Sequence, residues 1–136
     1  MKEVPDIYVV DDSYFNLEII NRRLTSAMPC SVLLFEDAWG CMESMKEHEP
    51  DLVLTDFHLN RSLEGQQWLE TLNREHATVP VIVYSSAKDV HVSGSREGNS
   101  PLVFVHRDVY FLDNLVTEVK RKLNHDQNRL VMVVEQ

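Results

Sequence analysis

Five short apolar runs, separated by longer stretches with helical periodicity, constrain the fold of this chain more than any other feature of its sequence. The runs are rich in Val, Ile and Leu and apolar at successive positions, as strands are when both faces of a parallel sheet are covered. Such alternation is typical of an α/β fold. The runs are Ile7 to Val10, Val32 to Phe35, Leu52 to Thr55, Val81 to Tyr84 and Leu102 to Val105.

The stretches between the runs carry apolar residues at intervals of three and four, which is the spacing of one helix face. We interpret these stripes as core faces of helices. Lys88 to Asn99, between the last two runs, is rich in Gly, Ser and Val, so we expect a short or mobile helix there. The stripes are Leu17, Ile20, Leu24 and Ala27; Ala38, Met42 and Met45; Trp68, Leu69 and Leu72; and Leu112, Leu115, Val116, Val119 and Leu123.

A length of 136 residues, 43% of them hydrophobic, fits one globular domain that needs no disulfide or metal to hold its core. We expect the domain to span residues 1–125 and Cys30 and Cys41 to be reduced thiols. Residues 126–136 form a tail that is first polar and then apolar from Leu130 to Val134. This tail could be an extra strand, a partner-binding edge or a linker stub.

The charge of the chain excludes some partners. Thirteen Lys and Arg against 22 Asp and Glu give a net charge of −9, the wrong sign for neutralising a phosphate backbone. We therefore expect no direct contact with nucleic acid. The apolar run near the N-terminus is short and is followed directly by Asp11 and Asp12, so neither a signal peptide nor a membrane span fits. We expect a cytoplasmic protein.

Three acidic residues stand at the ends of predicted strands. Asp11 and Asp12 follow the first strand and Asp56 follows the third. In an open α/β sheet, ligands bind beyond the carboxyl ends of the strands, so these side chains would share one pocket if the two strands are neighbours. Three carboxylates in one pocket repel one another unless a cation neutralises them. Mg²⁺, which takes oxygen ligands, suits such a site.

Further groups at the same edge favour phosphoryl chemistry. A carboxylate can act as a nucleophile and form an aspartyl phosphate, with a metal ion to screen the phosphoryl oxygens. A phosphoryl group also needs a hydroxyl or N–H donor and a fixed positive charge. Ser85 follows the fourth strand and Arg107 follows the fifth, so both would end at this edge.

Taken together, four segments resemble the receiver domain of two-component response regulators (CheY-like). They are IYVVDDSYFN, PDLVLTDFHL, PVIVYSS and LVFVHRD, and the resemblance covers the chain from about Ile7 to about Leu123. It implies a doubly wound, flavodoxin-like fold with five parallel strands in the order 2-1-3-4-5 and helices on both faces. It also implies a phosphoprotein that acts in signal transduction through a phosphorelay.

The resemblance assigns roles at the acidic edge. Asp56 resembles the phosphoacceptor, and Asp11 and Asp12 resemble the acidic pair that holds Mg²⁺ together with Asp56. His58 would contribute its backbone carbonyl to the metal. The phosphoryl donor would be a sensor histidine kinase or a histidine phosphotransfer protein. Beyond its own phosphorylation and slow dephosphorylation, the chain would not be an enzyme.

The resemblance also implies a switch. Ser85 occupies the place of the hydroxyl residue that turns toward the phosphoryl group, and Phe104 that of the aromatic residue that swings inward. Phosphorylation adds charge and acceptor oxygens, so the face formed by the fourth helix, fifth strand and fifth helix would change shape. Such a face would bind an unidentified downstream protein and could form a homodimer.

The sequence departs from the family pattern at several places. Where the family has a lysine, this chain has His106 and Arg107, and the spacing from Phe104 makes Arg107 the better match. An arginine keeps the charge without the compact geometry of an ammonium group. The loop from Asp56 to Gly65 is one residue longer, and the segment of the fourth helix is poor in helix formers. These departures leave open a pseudo-receiver, which would be a constitutive protein-interaction module. A Mg²⁺-dependent phosphatase is less favoured, because His58 stands where it would need a second acid.

Overall fold

The computed structural model describes residues 4–59, 65–85, 102–106 and 110–127. Its strands are β1 (Asp6–Val10), β2 (Ser31–Phe35), β3 (Leu52–Asp56), β4 (Val81–Ser85) and β5 (Leu102–His106). These five strands form one parallel sheet in the order β2-β1-β3-β4-β5, which confirms the predicted topology. Each strand begins or ends within one residue of a predicted apolar run.

In the described part of the chain, four helices connect or follow these strands. They are α1 (Tyr14–Ala27), α2 (Ala38–Glu47), α3 (Gly65–Glu75) and α4 (Phe111–Gln127). The first two begin with a side-chain cap. Ser13 precedes α1 and its hydroxyl accepts a hydrogen bond from the Asn16 N–H at 3.2 Å. Asp37 caps α2 in the same way through the Gly40 N–H at 2.8 Å. Such caps satisfy backbone N–H groups that the helix itself leaves without partners.

Alternate residues of the strands pack against two different helix layers. On one face, β-strand residues such as Val9 and Leu54 meet α1 and α4. On the other, Val10 and Val53 meet α2 and α3. The predicted helix stripes supply these layers, although Ala27, Met42, Leu112 and Val116 are only half-buried. The fully or nearly buried stripe residues are Leu17, Ile20, Leu24, Ala38, Met45, Trp68, Leu69, Leu72, Leu115, Val119 and Leu123.

Strand β2 corrects one sequence-based expectation. The sequence predicts that Val32 to Phe35 are covered on both faces, yet Leu33 is exposed, with 50% of its surface accessible. Among the described residues, the strand lies at the edge of the sheet and pairs only with β1. Short edge strands are less completely covered than central ones, and an apolar run of four residues does not distinguish the two positions.

Several predictions fall on residues outside the described part of the chain. These include the helix in Lys88 to Asn99, Arg107 and the side chain of Phe104. Helix α4 continues to Gln127, two residues past the predicted domain boundary, and the rest of the tail, residues 128–136, lies outside as well. Among the helices of the described residues, none combines the length and apolar character that a membrane span requires.

The two cysteines are free thiols, and they are predicted to differ in reactivity. Burial raises the pKa of the Cys41 thiol to about 12, whereas Cys30 is half-buried and burial raises its pKa less. Because the thiolate is the reactive form, iodoacetamide at mildly alkaline pH should alkylate Cys30 in the folded protein. Cys41 should react only after unfolding in urea. Peptide mass mapping checks this, and equal rates at both positions in the folded protein would contradict it.

Candidate functional site

The three acidic residues lie together at the carboxyl edge of the sheet. Strands β1 and β3 are neighbours, with Val10 paired to Thr55, so the residues that follow this pair meet. One carboxylate oxygen from each of Asp11, Asp12 and Asp56 lies within 4.8 Å of the others. Asp11 is fully buried, and the other two are half-buried. We refer to these three residues as the acidic pocket.

Asp11 is held by donors on both of its carboxylate oxygens. The Ser13 N–H donates to Oδ1 at 2.8 Å, and the Tyr84 hydroxyl donates to Oδ2 at 2.7 Å. The Asp11 backbone N–H in turn donates to the Phe35 carbonyl oxygen at 3.0 Å. Main chain and side chain of Asp11 are therefore both fixed relative to the sheet.

Asp56 is the last residue of β3, and a chain of hydrogen bonds stabilises its surroundings. The His58 N–H donates to its carboxylate Oδ1 at 3.1 Å, and the Thr55 hydroxyl donates to its carbonyl oxygen at 3.0 Å. The indole N–H of Trp68, in α3, donates to the Thr55 hydroxyl oxygen at 2.8 Å. Because Trp68 is fully buried, this bond connects the end of β3 to the packed interior.

Ser85 is the last residue of β4 and is fully buried. The residue before it, Tyr84, pairs with Asp56 across the β3–β4 ladder, so Ser85 reaches the same edge as the acidic pocket. On the next strand, Phe104 pairs with Val83 in β5. His58 lies two residues past the end of β3 with its side chain exposed. The roles of Ser85, Phe104, Arg107 and the His58 carbonyl stay predictions.

Sequence reasoning missed Tyr84, Thr55 and Trp68, each of which has a polar atom next to the site. All three were assigned only to apolar strand or helix stripes. A signal was present, since a buried tyrosine or tryptophan usually needs a partner for its O–H or N–H. Tyr84 also stands directly before Ser85, near the end of a strand, where its ring can reach the carboxyl edge.

Comparisons with known proteins show which family the chain belongs to. The family model described as the response regulator receiver domain matches residues 7–96. The chain belongs to this family. A sequence search of curated proteins with this chain finds no match.

Solved structures share the fold of this receiver domain at low sequence identity. A CheY-like response regulator receiver domain protein from Methanospirillum hungatei is 19% identical, with a TM-score of 0.79, over 93% of this chain and 99% of that one. The signal receiver domain of an HD domain-containing protein from Pseudomonas fluorescens is 20% identical, with a TM-score of 0.76, over 92% and 98%. NtrX from Brucella abortus, solved with ADP, is 21% identical, with a TM-score of 0.78 over 98% of this chain, which spans only 30% of NtrX.

Proposed function

We propose that this receiver domain accepts a phosphoryl group on Asp56, in the presence of Mg²⁺, and signals through a change in its protein contacts. The donor is a phosphohistidine of a sensor histidine kinase or of a histidine phosphotransfer protein. The acidic pocket is the observation that carries this proposal, because it groups a carboxylate at the end of β3 with two further carboxylates within 4.8 Å.

The donor set of the acidic pocket fits a magnesium ion. Asp11, Asp12 and Asp56 offer carboxylate oxygens, the ligand type that Mg²⁺ prefers, and their mutual repulsion favours binding of a cation. The His58 backbone carbonyl is a further proposed ligand. When bound, the ion would offset the negative charge of the pocket and of the incoming phosphoryl oxygens.

Asp56 is the nucleophile in this proposal. One carboxylate oxygen forms a bond to phosphorus as the bond between phosphorus and the donor imidazole nitrogen breaks, and the imidazole keeps the electron pair of that bond. The Ser85 hydroxyl would then donate a hydrogen bond to a phosphoryl oxygen, and Arg107 would supply a fixed positive charge. Attack of water on the phosphorus later releases inorganic phosphate and restores the Asp56 carboxylate.

Exposed aromatic residues next to the acidic pocket support delivery by a protein donor. Tyr14 and Phe15 begin α1 directly after the loop that carries Asp12, and they are 64% and 71% exposed. Large exposed apolar side chains are frequent in protein-interaction surfaces. A donor protein that contacts this turn would place its phosphohistidine near Asp56.

The output of the proposed switch lies on the other side of the site. Ser85 ends β4, next to β5, which contains Phe104, and α4 follows β5 along the chain. A movement of Ser85 toward the phosphoryl group would give Phe104 space to move inward. Helix α4 of the structure is the fifth helix predicted from the sequence. The surface formed by β5 and α4 would then bind a downstream protein or a second copy of the receiver domain.

Intact-mass spectrometry tests the proposed function. The protein is incubated with Mg²⁺ and either acetyl phosphate or phosphoramidate, whose P–N bond resembles that of phosphohistidine. We expect a gain of one phosphoryl group with at least one donor and no gain when a chelator is added. No gain with either donor, in a folded protein that binds Mg²⁺, would contradict the proposal and favour the pseudo-receiver.

A further inference from the structure

Tyr84 joins the acidic pocket to the first residue of α4. Its hydroxyl donates to Asp11 Oδ2 at 2.7 Å, and the ring is fully buried. Because β3 lies between β4 and β1, the phenol reaches across one strand to make this bond. The ring itself packs against Phe111, with ring centroids 5.1 Å apart and an angle of 57° between the planes.

The main chain of Tyr84 is fixed at the same edge. Its carbonyl oxygen accepts a hydrogen bond from the Phe57 N–H at 2.9 Å, and its Cα is paired with that of Asp56. Tyr84 therefore contacts one acidic residue through its side chain and lies opposite another through its backbone. It also immediately precedes Ser85, so three parts of the site meet at this position.

We propose that Tyr84 is a positioning residue for the metal site: its hydroxyl orients the Asp11 carboxylate for a divalent cation and couples occupancy of the acidic pocket to Phe111 at the start of α4. This inference rests on the proposed Mg²⁺ site. Donors that orient a metal-binding carboxylate hold it in the geometry that the ion requires, and removing such a partner typically weakens binding about 10- to 100-fold.

The direction of the effect follows from the contacts of Asp11. The Ser13 N–H fixes Oδ1 alone, so without the phenol the carboxylate can rotate about the bond to its β-carbon. A cation must then order this group when it binds. In addition, a change in the position of Asp11 on cation binding moves the phenol, and the close-packed ring transmits that movement to Phe111.

Tyr8 provides a matched control within the same sheet. It is also buried, its hydroxyl bonds to the Ser44 hydroxyl at 3.0 Å and to the His48 carbonyl oxygen at 3.1 Å, and its ring packs against Phe35 at 5.1 Å. These contacts lie on the opposite face of the sheet, toward α2. Tyr8→Phe and Tyr84→Phe therefore remove the same atom from two similar environments, and only one of them adjoins the acidic pocket.

An NMR titration of the full chain with Mg²⁺ tests the inference, using the backbone amides of Asp12, Ser13 and Phe111. In the wild-type protein we expect all three to shift along one saturable binding curve. In Tyr84→Phe we expect the dissociation constant from Asp12 and Ser13 to rise on the order of tenfold and the Phe111 shift at saturation to shrink strongly. Tyr8→Phe should bind Mg²⁺ as the wild type does, although each variant loses the hydrogen bonds of its phenol and should lose thermal stability.

The outcomes test the metal site and the positioning role of Tyr84 separately. A wild-type protein whose amides show no saturable response to Mg²⁺ would overturn the metal site and, with it, the role of Tyr84. Wild-type binding with an unchanged dissociation constant in Tyr84→Phe would overturn the positioning role alone. Equal weakening in Tyr8→Phe and Tyr84→Phe would attribute the effect to general destabilisation and would also overturn it.

Discussion

Asp56→Asn is expected to abolish phosphorylation of the receiver domain while the fold is retained. The amide of asparagine is a poor nucleophile, and the substitution also removes one of the negative charges that favour a cation in the acidic pocket. The side-chain oxygen of asparagine can still accept the hydrogen bond from the His58 N–H, which is 3.1 Å long in the wild type. Intact mass after incubation with Mg²⁺ and phosphodonor measures the loss, and circular dichroism checks the fold.

Asp37→Asn is the matched control for this experiment. It makes the same chemical change at the N-cap of α2, where the side chain accepts the Gly40 N–H and where asparagine caps about as well as aspartate. This variant should be phosphorylated as the wild type is. Labelling that persists in Asp56→Asn would show that another residue carries the phosphoryl group, and loss of labelling in both variants would contradict a specific role for Asp56.

The parallel fold was predictable because each of its determinants is local in sequence. An apolar run such as Val81 to Tyr84 has no polar face, and this alone favours a strand covered on both sides. The strand order was not predictable from such patterns, since no local feature states which strands are neighbours. It came from the resemblance of whole segments to a known family, and the sheet has that order.

The acidic pocket was predictable for a related reason. Asp11 and Asp56 directly follow or end apolar strands, and all parallel strands end at the same edge. The hydrogen bonds that hold these carboxylates in place were not predictable in the same way. Whether the Tyr84 hydroxyl meets Asp11 depends on a side chain crossing an intervening strand, which requires the strand order as well as the direction in which the ring points.

The support beneath Asp56 also escaped sequence reasoning. Trp68 lies on the apolar stripe of α3, and its indole N–H bonds to Thr55 on a neighbouring element. Helical periodicity places such a residue on the buried face but does not specify which polar atom its N–H meets. Distant pairings of this kind connect the core to the site, and they become visible only when the packing of α3 on the sheet is known.

Trp68→Ala is expected to be strongly destabilising. Removing a fully buried tryptophan leaves a cavity, and truncations of large aromatic residues to alanine lower the free energy of unfolding by about 3–5 kcal/mol. That is a large share of the roughly 5–15 kcal/mol by which a typical domain is stable. Trp68→Phe keeps most of the volume but removes the donor to Thr55, so it should lower the free energy of unfolding by about 1–3 kcal/mol.

Trp39, the other tryptophan of the chain, is the control because 53% of its surface is exposed. Trp39→Ala should change the free energy of unfolding by only about 0.5 kcal/mol, as surface substitutions do. Urea unfolding followed by far-ultraviolet circular dichroism gives the values for all three variants. Equal stability of Trp68→Ala and Trp39→Ala would show that the indole of Trp68 does not lie in the packed interior. The hydrogen bonds that connect Trp68 to Asp56 through Thr55 would then be contradicted as well.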